Sequence, residues 1–421
     1  MKSAFWRSLA LALVVAVVLP TVAFAGGEVA RSSMAGTNFM NTSADTWVLF
    51  HRSLEGDGYG EFVSQGYNGN VSKGGGDNEG FARLTLPFGD YRLGFEINDR
   101  AAGSGVLGYA WNAGPYNHAE SYNDFGLYGL TIGDFVDEFG NGYNGFWDGQ
   151  MASIKGAFAM GTGSASIGAG IFNDNIEDNT DSEKFGSTGF NLNASWGNGA
   201  PATAGTIELV GEFTTHSSKD EVAAGNQELS GNHFAVDGRY SVDDDNHIEG
   251  AIAKLTSDYT DDIAAPSTSE TIGLTAFKVN YVRDLVEEAD HGALVEVSFD
   301  YLKFTFEPDA NDPAGSAEIS ESFTAFPSCR FSAWHEMPKN LSLYGGVEGS
   351  YLFKGTFEDP NDSEDVQAAG SSSFSWTAGL GWDPNDHIGI EFFLMTSNLD
   401  QILSLGNTAP LIGGIGAHSS W

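Results

Sequence analysis

Ser373-Phe374-Ser375-Trp376-Thr377-Ala378-Gly379-Leu380-Gly381-Trp382 puts an apolar residue at every second position, with small or polar residues between. Asp383-Pro384-Asn385-Asp386 breaks the run, and Ile388, Ile390, Phe392 and Leu394 then form one face of a second run. Successive side chains of a strand point to opposite faces, so the stretch reads as a hairpin with one apolar and one polar face. The same period recurs elsewhere. Phe190, Leu192, Ala194 and Trp196 oppose Asn191, Asn193 and Ser195, and Val295, Val297 and Phe299 oppose Glu296, Ser298 and Asp300. In a soluble sandwich the polar face meets water, whereas in a membrane barrel the apolar face meets lipid and the polar face lines the lumen.

The connections separate these two cases. Short links at 88–91, 161–164, 197–205, 243–246, 284–290, 337–340 and 383–386 alternate with longer, polar and acidic ones at 101–122, 173–186, 216–229, 258–269, 308–320, 356–370 and 397–410. Short periplasmic turns and long extracellular loops produce this alternation. The fold class expected is all-β, a transmembrane antiparallel β-barrel of about 16 strands, with 14 as the alternative. Strands are expected to begin near Gly60, Gly80, Tyr91, Met151, Ala165, Ser187, Thr206, His233, His247, Thr271, Ala293, Phe323, Leu341, Ser373, His387 and Leu411. Between 101 and 150, Val106 to Trp111 and Phe125 to Ile132 are strand-like and are read as an inserted loop hairpin. The alternation slips at Tyr301 to Phe304, which predicts a bulge or a misassigned face there.

The two ends agree with export. Lys2 and Arg7, the apolar run Leu9 to Leu19 and the small-x-small site Ala23-Phe24-Ala25 form a signal peptide over 1–25, too short an apolar run for a membrane anchor. Residues 26–59 are expected to be a periplasmic or luminal segment, and 60–421 the barrel, ending on Trp421. No later apolar run is long enough for a spanning helix, which leaves the closed barrel as the permitted way through lipid. The formal charge is −38, or −40 once Lys2 and Arg7 leave with the signal, which excludes nucleic acid as a partner by repulsion. The acid clusters around Asp174 to Glu183, Asp243 to Asp245 and Asp359 to Asp365 read first as solvated surface. Cation attraction or divalent bridging to surface lipopolysaccharide is the second reading of them. Cys329 stands alone, so no internal disulfide is available.

With a signal at one end, dyad alternation throughout and an aromatic terminus, the chain resembles Gram-negative outer-membrane β-barrels of the porin type. That resemblance implies outer-membrane lipid as surroundings, small solutes as cargo, and a homotrimer or monomer. Ala30-Arg31-Ser32-Ser33-Met34-Ala35-Gly36, followed by Ser43-Ala44-Asp45 and Val48-Leu49-Phe50, resembles the start of fatty-acid-transporter-type barrels. His51-Arg52-Ser53 stands where those often carry a double glycine and Asn-Pro-Ala. This second resemblance implies a hydrophobic-compound transporter.

Projecting the alternation inward gives the pore-lining candidates Arg83, Arg92, Glu96, Lys155, Glu208, Glu212, Asp237, Arg239, Lys278, Glu296, Asp300, Arg330 and Glu348, together with Asn98 and Asn280. Charges in the hydrocarbon zone must face the lumen, and bases opposite acids across a lumen would create a transverse field on a passing solute. Passive diffusion of small hydrophilic solutes with modest cation preference follows from that reading. The alternatives are satisfied ion pairs in a plugged, non-conducting barrel and a ligand- or surface-lipid-binding barrel. Most of the nine histidines read as loop or turn residues, and His233 shares the inward phase of Asp237. No nucleophile elbow or zinc-protease pattern accompanies them, so no catalytic residue, cofactor or metal ligand is assigned.

Overall fold

The computed structural model describes residues 30, 34, 43–55, 58–65, 80–100, 148–178, 183–201, 203–222, 225–262, 268–288, 290–307, 318–358, 366–368, 372–385, 388–394 and 412–420. The signal peptide, the strand-like runs within 101–147, the acidic stretch 359–365 and Trp421 lie outside them. The wall strands are β1 (Tyr59–Gln65), β2 (Gly80–Phe88), β3 (Tyr91–Arg100), β4 (Asp148–Met160), β5 (Gly163–Asp178), β6 (Glu183–Gly197), β7 (Ile207–Val222) and β8 (Gly225–Ser241). They continue as β9 (Asn246–Asp261), β10 (Thr268–Glu288), β11 (His291–Glu307), β12 (Ile319–Met337), β13 (Leu341–Glu358), β14 (Ser372–Asn385), β15 (Ile388–Leu394) and β16 (Ile412–Ser420). A short piece, Val366–Ala368, pairs with β13 at Gly355 to Phe357 and continues the line of β14, so the wall has sixteen strands.

Every strand is antiparallel to its chain neighbour, and the last returns to the first: Tyr59 lies opposite Ser420 and Val63 opposite Gly416. Closure leaves no unpaired edge, which lipid requires of a sheet. The outward face carries Ile97, Ile154, Ile171, Leu192, Phe213, Phe234, Ile252, Phe277, Val279, Phe331, Leu343, Trp376 and Leu380, all exposed. The inward face carries Arg83, Glu96, Lys155, Glu208, Glu249, Lys278, Glu296 and Arg330, all buried. That inversion of the soluble pattern is the exterior of an outer-membrane β-barrel, and no helix among the described residues is long and apolar enough to span a bilayer.

Two expectations need correction. Much of the polar sequence assigned to long loops is strand: β7 runs to Val222 and β8 starts at Gly225, with Thr214 to Val222 paired to Gly225 to His233. Likewise β5 and β6 pair as far as Asp178 and Glu183. Alternation is needed only where a strand faces lipid, about 9–11 residues, whereas backbone pairing continues into water. The irregularity expected at Tyr301 to Phe304 lies instead on β12. Ser298 opposes Ser328 and Asp300 opposes Ala325, so Phe326 and Pro327 together face Phe299. Pro327 has no N–H to give to the ladder, and the bulge moves the inward phase from Ala325 to Ser328. β11 keeps its phase through Asp300 and Leu302; its inner face turns apolar there, which resembles a slip in sequence.

The exterior assignment is testable at Ile252, which is outward on β9. Ile252→Arg is expected to cost about 2–4 kcal/mol if the side chain meets the hydrocarbon midplane. It would be read as a lower urea midpoint for the barrel folded in lipid vesicles. An unchanged midpoint would place Ile252 away from lipid.

Candidate functional site in the barrel lumen

At the tight-turn end, described residues of the chain's own N-terminal segment lie against the inner wall. Helix α1 (Ser43–Val48) leads into a 3-10 turn, η1 (Phe50–Leu54), closed by Arg52 N–H to Leu49 O at 2.9 Å and Ser53 Oγ–H to Phe50 O at 2.7 Å. Trp47, Val48, Leu49, Phe50, His51 and Ser53 are buried. Trp47 and Phe50 meet edge to face with centroids 5.4 Å apart, and pack on Ala157 of β4. The wall is shaped to take them: a Cβ on Gly94 of β3 would lie 2.5 Å from Phe50 Cζ and 2.9 Å from Trp47 Cζ3. Further round the wall, Ala30 and Met34 pack against Tyr344 and Trp334, Ala30 N–H donates to Glu391 Oε2 at 3.1 Å, and Ser332 Oγ–H donates to Met34 O at 2.7 Å.

A polar clasp joins the segment to β6 and β7. The Arg52 guanidinium grips Glu208 with two nitrogens: Nε donates to Oε1 at 2.6 Å and a terminal NH2 bonds Oε2. His51 Nε2 lies 3.1 Å from Glu208 Oε1, and Nδ1 lies 2.8 Å from Ser195 Oγ. Ser195 Oγ also accepts the His51 backbone N–H at 3.2 Å. A neutral imidazole satisfies this set with Nε2–H donating to the carboxylate and Nδ1 accepting the serine O–H. Ser166 Oγ, 2.7 Å from Ser195 Oγ, completes the chain. Burial holds the His51 imidazole below the ordinary histidine pKa, against the opposing pull of Glu208.

Of the charged residues expected to line the pore, all but Arg92 face inward, and most of them pair with a neighbouring strand. Arg83 Nε donates to Glu96 Oε2 at 2.5 Å, with Glu61 at 3.9 Å. Glu212 meets His233 at 2.7 Å. Arg239 lies 3.9 Å from Asp237 and 3.4 Å from Glu249, and Lys278 lies 3.8 Å from the same Glu249. Asn280 Nδ2 donates to Glu249 and to Glu296, and Arg330 bridges Glu296 and Glu348, each at 3.1 Å. Asp300 accepts the Ser298 hydroxyl at 2.6 Å. Acid and base therefore alternate around the wall instead of facing each other across an open channel. Arg92 is the exception, at the β2–β3 turn, with its guanidinium on the Gly89 and Tyr91 carbonyls.

Several participants were not singled out in sequence. Glu249 sits at the centre of the network, but its strand turns Ala251, Ala253 and Leu255 inward as well, which hides the polar face. Glu61 is on a short strand with little period to read, and Glu391 lies on the inward face that the Ile388, Ile390 and Phe392 alternation leaves, a projection not carried to that strand. His51 and His247 are buried rather than solvated, while His233 is buried in the inward phase expected of it, and His247 lies 3.1 Å from Ser241 Oγ and 3.0 Å from Asp284.

No protein-family profile matches the chain, and no curated protein matches it. Among solved structures, the CymD monoaromatic hydrocarbon channel is similar at 11% identity, covering 93% of this chain and 97% of that one, with a TM-score of 0.36. The toluene transporter TbuX of Ralstonia pickettii is similar at 11% identity over the same shares, with a TM-score of 0.33. The ferric-catecholate import receptor Fiu of E. coli K12 is similar at 8% identity over 58% of this chain, with a TM-score of 0.34. This chain covers 48% of Fiu and 47% of the siderophore receptor PiuA of Acinetobacter baumannii, about half of each. Similarity at this level carries no inference about substrate or mechanism.

The clasp predicts a pH response. With a folded pKa below the unfolded value, His51 contributes docking stability that is complete above about 6.5 and is lost as pH falls through the lowered value. Hydrogen exchange of 43–55, corrected for intrinsic rate, is expected to lose protection between about pH 7.5 and about pH 5, and His51→Gln to flatten that change. Equal protection at both pH values in the wild type would contradict the assignment.

Proposed function

We propose that the protein is a gated outer-membrane uptake barrel for small solutes, closed at rest on its periplasmic side by residues of its own N-terminal segment. The observation that carries this reading is the Arg52–Glu208–His51 clasp, which fixes the segment to the inner wall. Two further features support it. Gly94 and Gly197 make room for the docked segment, since a Cβ on Gly197 would lie 2.6 Å from His51 Nε2. The luminal charges are neutralised between neighbouring strands, which removes the transverse field that an open diffusion porin would use.

The segment is held by a small number of replaceable contacts rather than by a covalent tie, so its release is a conformational equilibrium. Removing one partner of a buried ion pair costs about 3–5 kcal/mol, enough to raise an undocked population by roughly a thousandfold. The wall pairs do not include Arg52, so the barrel keeps its register when the clasp opens.

Planar-bilayer recording tests the reading. Wild-type protein is expected to be almost silent near neutral pH, and Glu208→Gln to show discrete openings. Steady open-channel steps from the wild type would overturn the gate in favour of passive diffusion. Silence from both would leave a non-conducting structural or lipid-binding barrel.

A further inference from the structure

Among the luminal bases, Lys155 is unusual. Arg52, Arg83, Arg239, Lys278 and Arg330 each have a carboxylate within ion-pairing distance. Among the described residues Lys155 has none. It is 6% exposed, and its ammonium donates to the Trp47 carbonyl oxygen at 2.7 Å and lies 4.6 Å from the Trp47 ring centroid. The Arg83 guanidinium is also placed against that ring, 5.6 Å from its centroid, with its charge already met by Glu96 and Glu61. Gly94 and Ala157 leave the space that the Trp47 and Phe50 rings occupy.

We propose that this cradle on β2, β3 and β4 is a binding subsite for a small aromatic molecule bearing an anionic oxygen, and that Trp47 occupies it in the closed state. The inference rests on the gated reading above. The chemistry follows from what Trp47 supplies. Its ring fills the slot over Gly94 and takes the cation–π attraction of Lys155, and its carbonyl oxygen accepts the ammonium's hydrogen bond. When the segment leaves, the buried ammonium loses its one acceptor and stands beside an empty aromatic slot, with Glu96 and Glu212 attracting it only from beyond ion-pairing distance. A neutral carbonyl satisfies that ammonium less well than a carboxylate does, because charge-assisted hydrogen bonds are the stronger kind. An aromatic carboxylate replaces both contacts of Trp47 and puts a negative charge in direct contact with the ammonium. Ligand and segment therefore exclude one another, and ligand binding favours the open state in proportion to its affinity for it.

The test uses the full-length barrel in detergent, with indole-3-acetate and uncharged indole as probes and calorimetry as the readout. Trp47→Ala empties the part of the slot filled by the indole ring, with Phe50 and the residue-47 carbonyl still in place, and Glu208→Gln frees the segment with Trp47 present. Both are expected to bind indole-3-acetate about tenfold or more tightly than the wild type, and to prefer it to indole by about tenfold. Adding Lys155→Met to either variant is expected to bring the two probes within about twofold of each other, and Gly94→Leu to abolish binding of both. Heat-modifiable mobility confirms that each variant is folded, and Lys155→Arg, which keeps the charge, is expected to retain the preference. Equal affinity in wild type, Trp47→Ala and Glu208→Gln would overturn the proposal, as would a preference that survives Lys155→Met. If Glu208→Gln opens the channel but gains no affinity, the subsite fails while the gate stands; silent recordings from that variant fail the gate itself.

Discussion

A charge on the inner face of a membrane barrel must find an opposite charge, or water, and filling the lumen removes much of the water. The rest of this structure follows from that constraint. Several acids on the wall are placed in register with a base on the next strand, as with Arg83 and Glu96, Arg239 and Glu249, or Arg330 between Glu296 and Glu348. Register and electrostatics therefore reinforce one another: sliding one strand by a single residue would send its whole charged set into lipid and leave the partner set buried and unpaired.

Where the wall does not complete its own pairing, the N-terminal segment does. Glu208 lies opposite Arg239 in register, but its side chain turns to Arg52 and His51. Lys155 takes a backbone carbonyl from the segment, and Glu391 takes the Ala30 N–H. The wall also gives up side-chain volume at Gly94, Ala157 and Gly197 to admit Trp47, Phe50 and His51. A gate built this way is reversible, because its charged contacts can be exchanged for solvent or for a ligand with matching groups.

The barrel was legible because lipid enforces a dyad pattern. All sixteen expected strand positions correspond to observed strands, including the faint β1 and β16, and the inward phase of Arg83, Lys155, Glu208, Lys278 and Arg330 followed directly. Loop lengths were overestimated for the same reason, since the pattern ends at the membrane surface while pairing in β7 and β8 runs on to Val222 and Gly225. The seat of the segment was not legible. His51 and Glu208 are separated by 157 positions, and α1 is six residues long, too short for its periodicity to say which face is buried. Gly94 and Gly197 read only as strand glycines until the rings packed against them are known. Glu249 was hidden by the alanines and leucine that share its face.

The central claim is that the segment rests docked in the lumen, and a distance across the tight-turn end tests it most directly. Spin labels placed at Glu55→Cys and Lys339→Cys, both exposed positions, in a Cys329→Ser background report the separation of the segment from the β12–β13 turn by pulsed dipolar spectroscopy. The account predicts one narrow distance distribution near neutral pH, and a broad one when Glu208→Gln is added. A broad distribution in the parent protein, unchanged by Glu208→Gln, would contradict it.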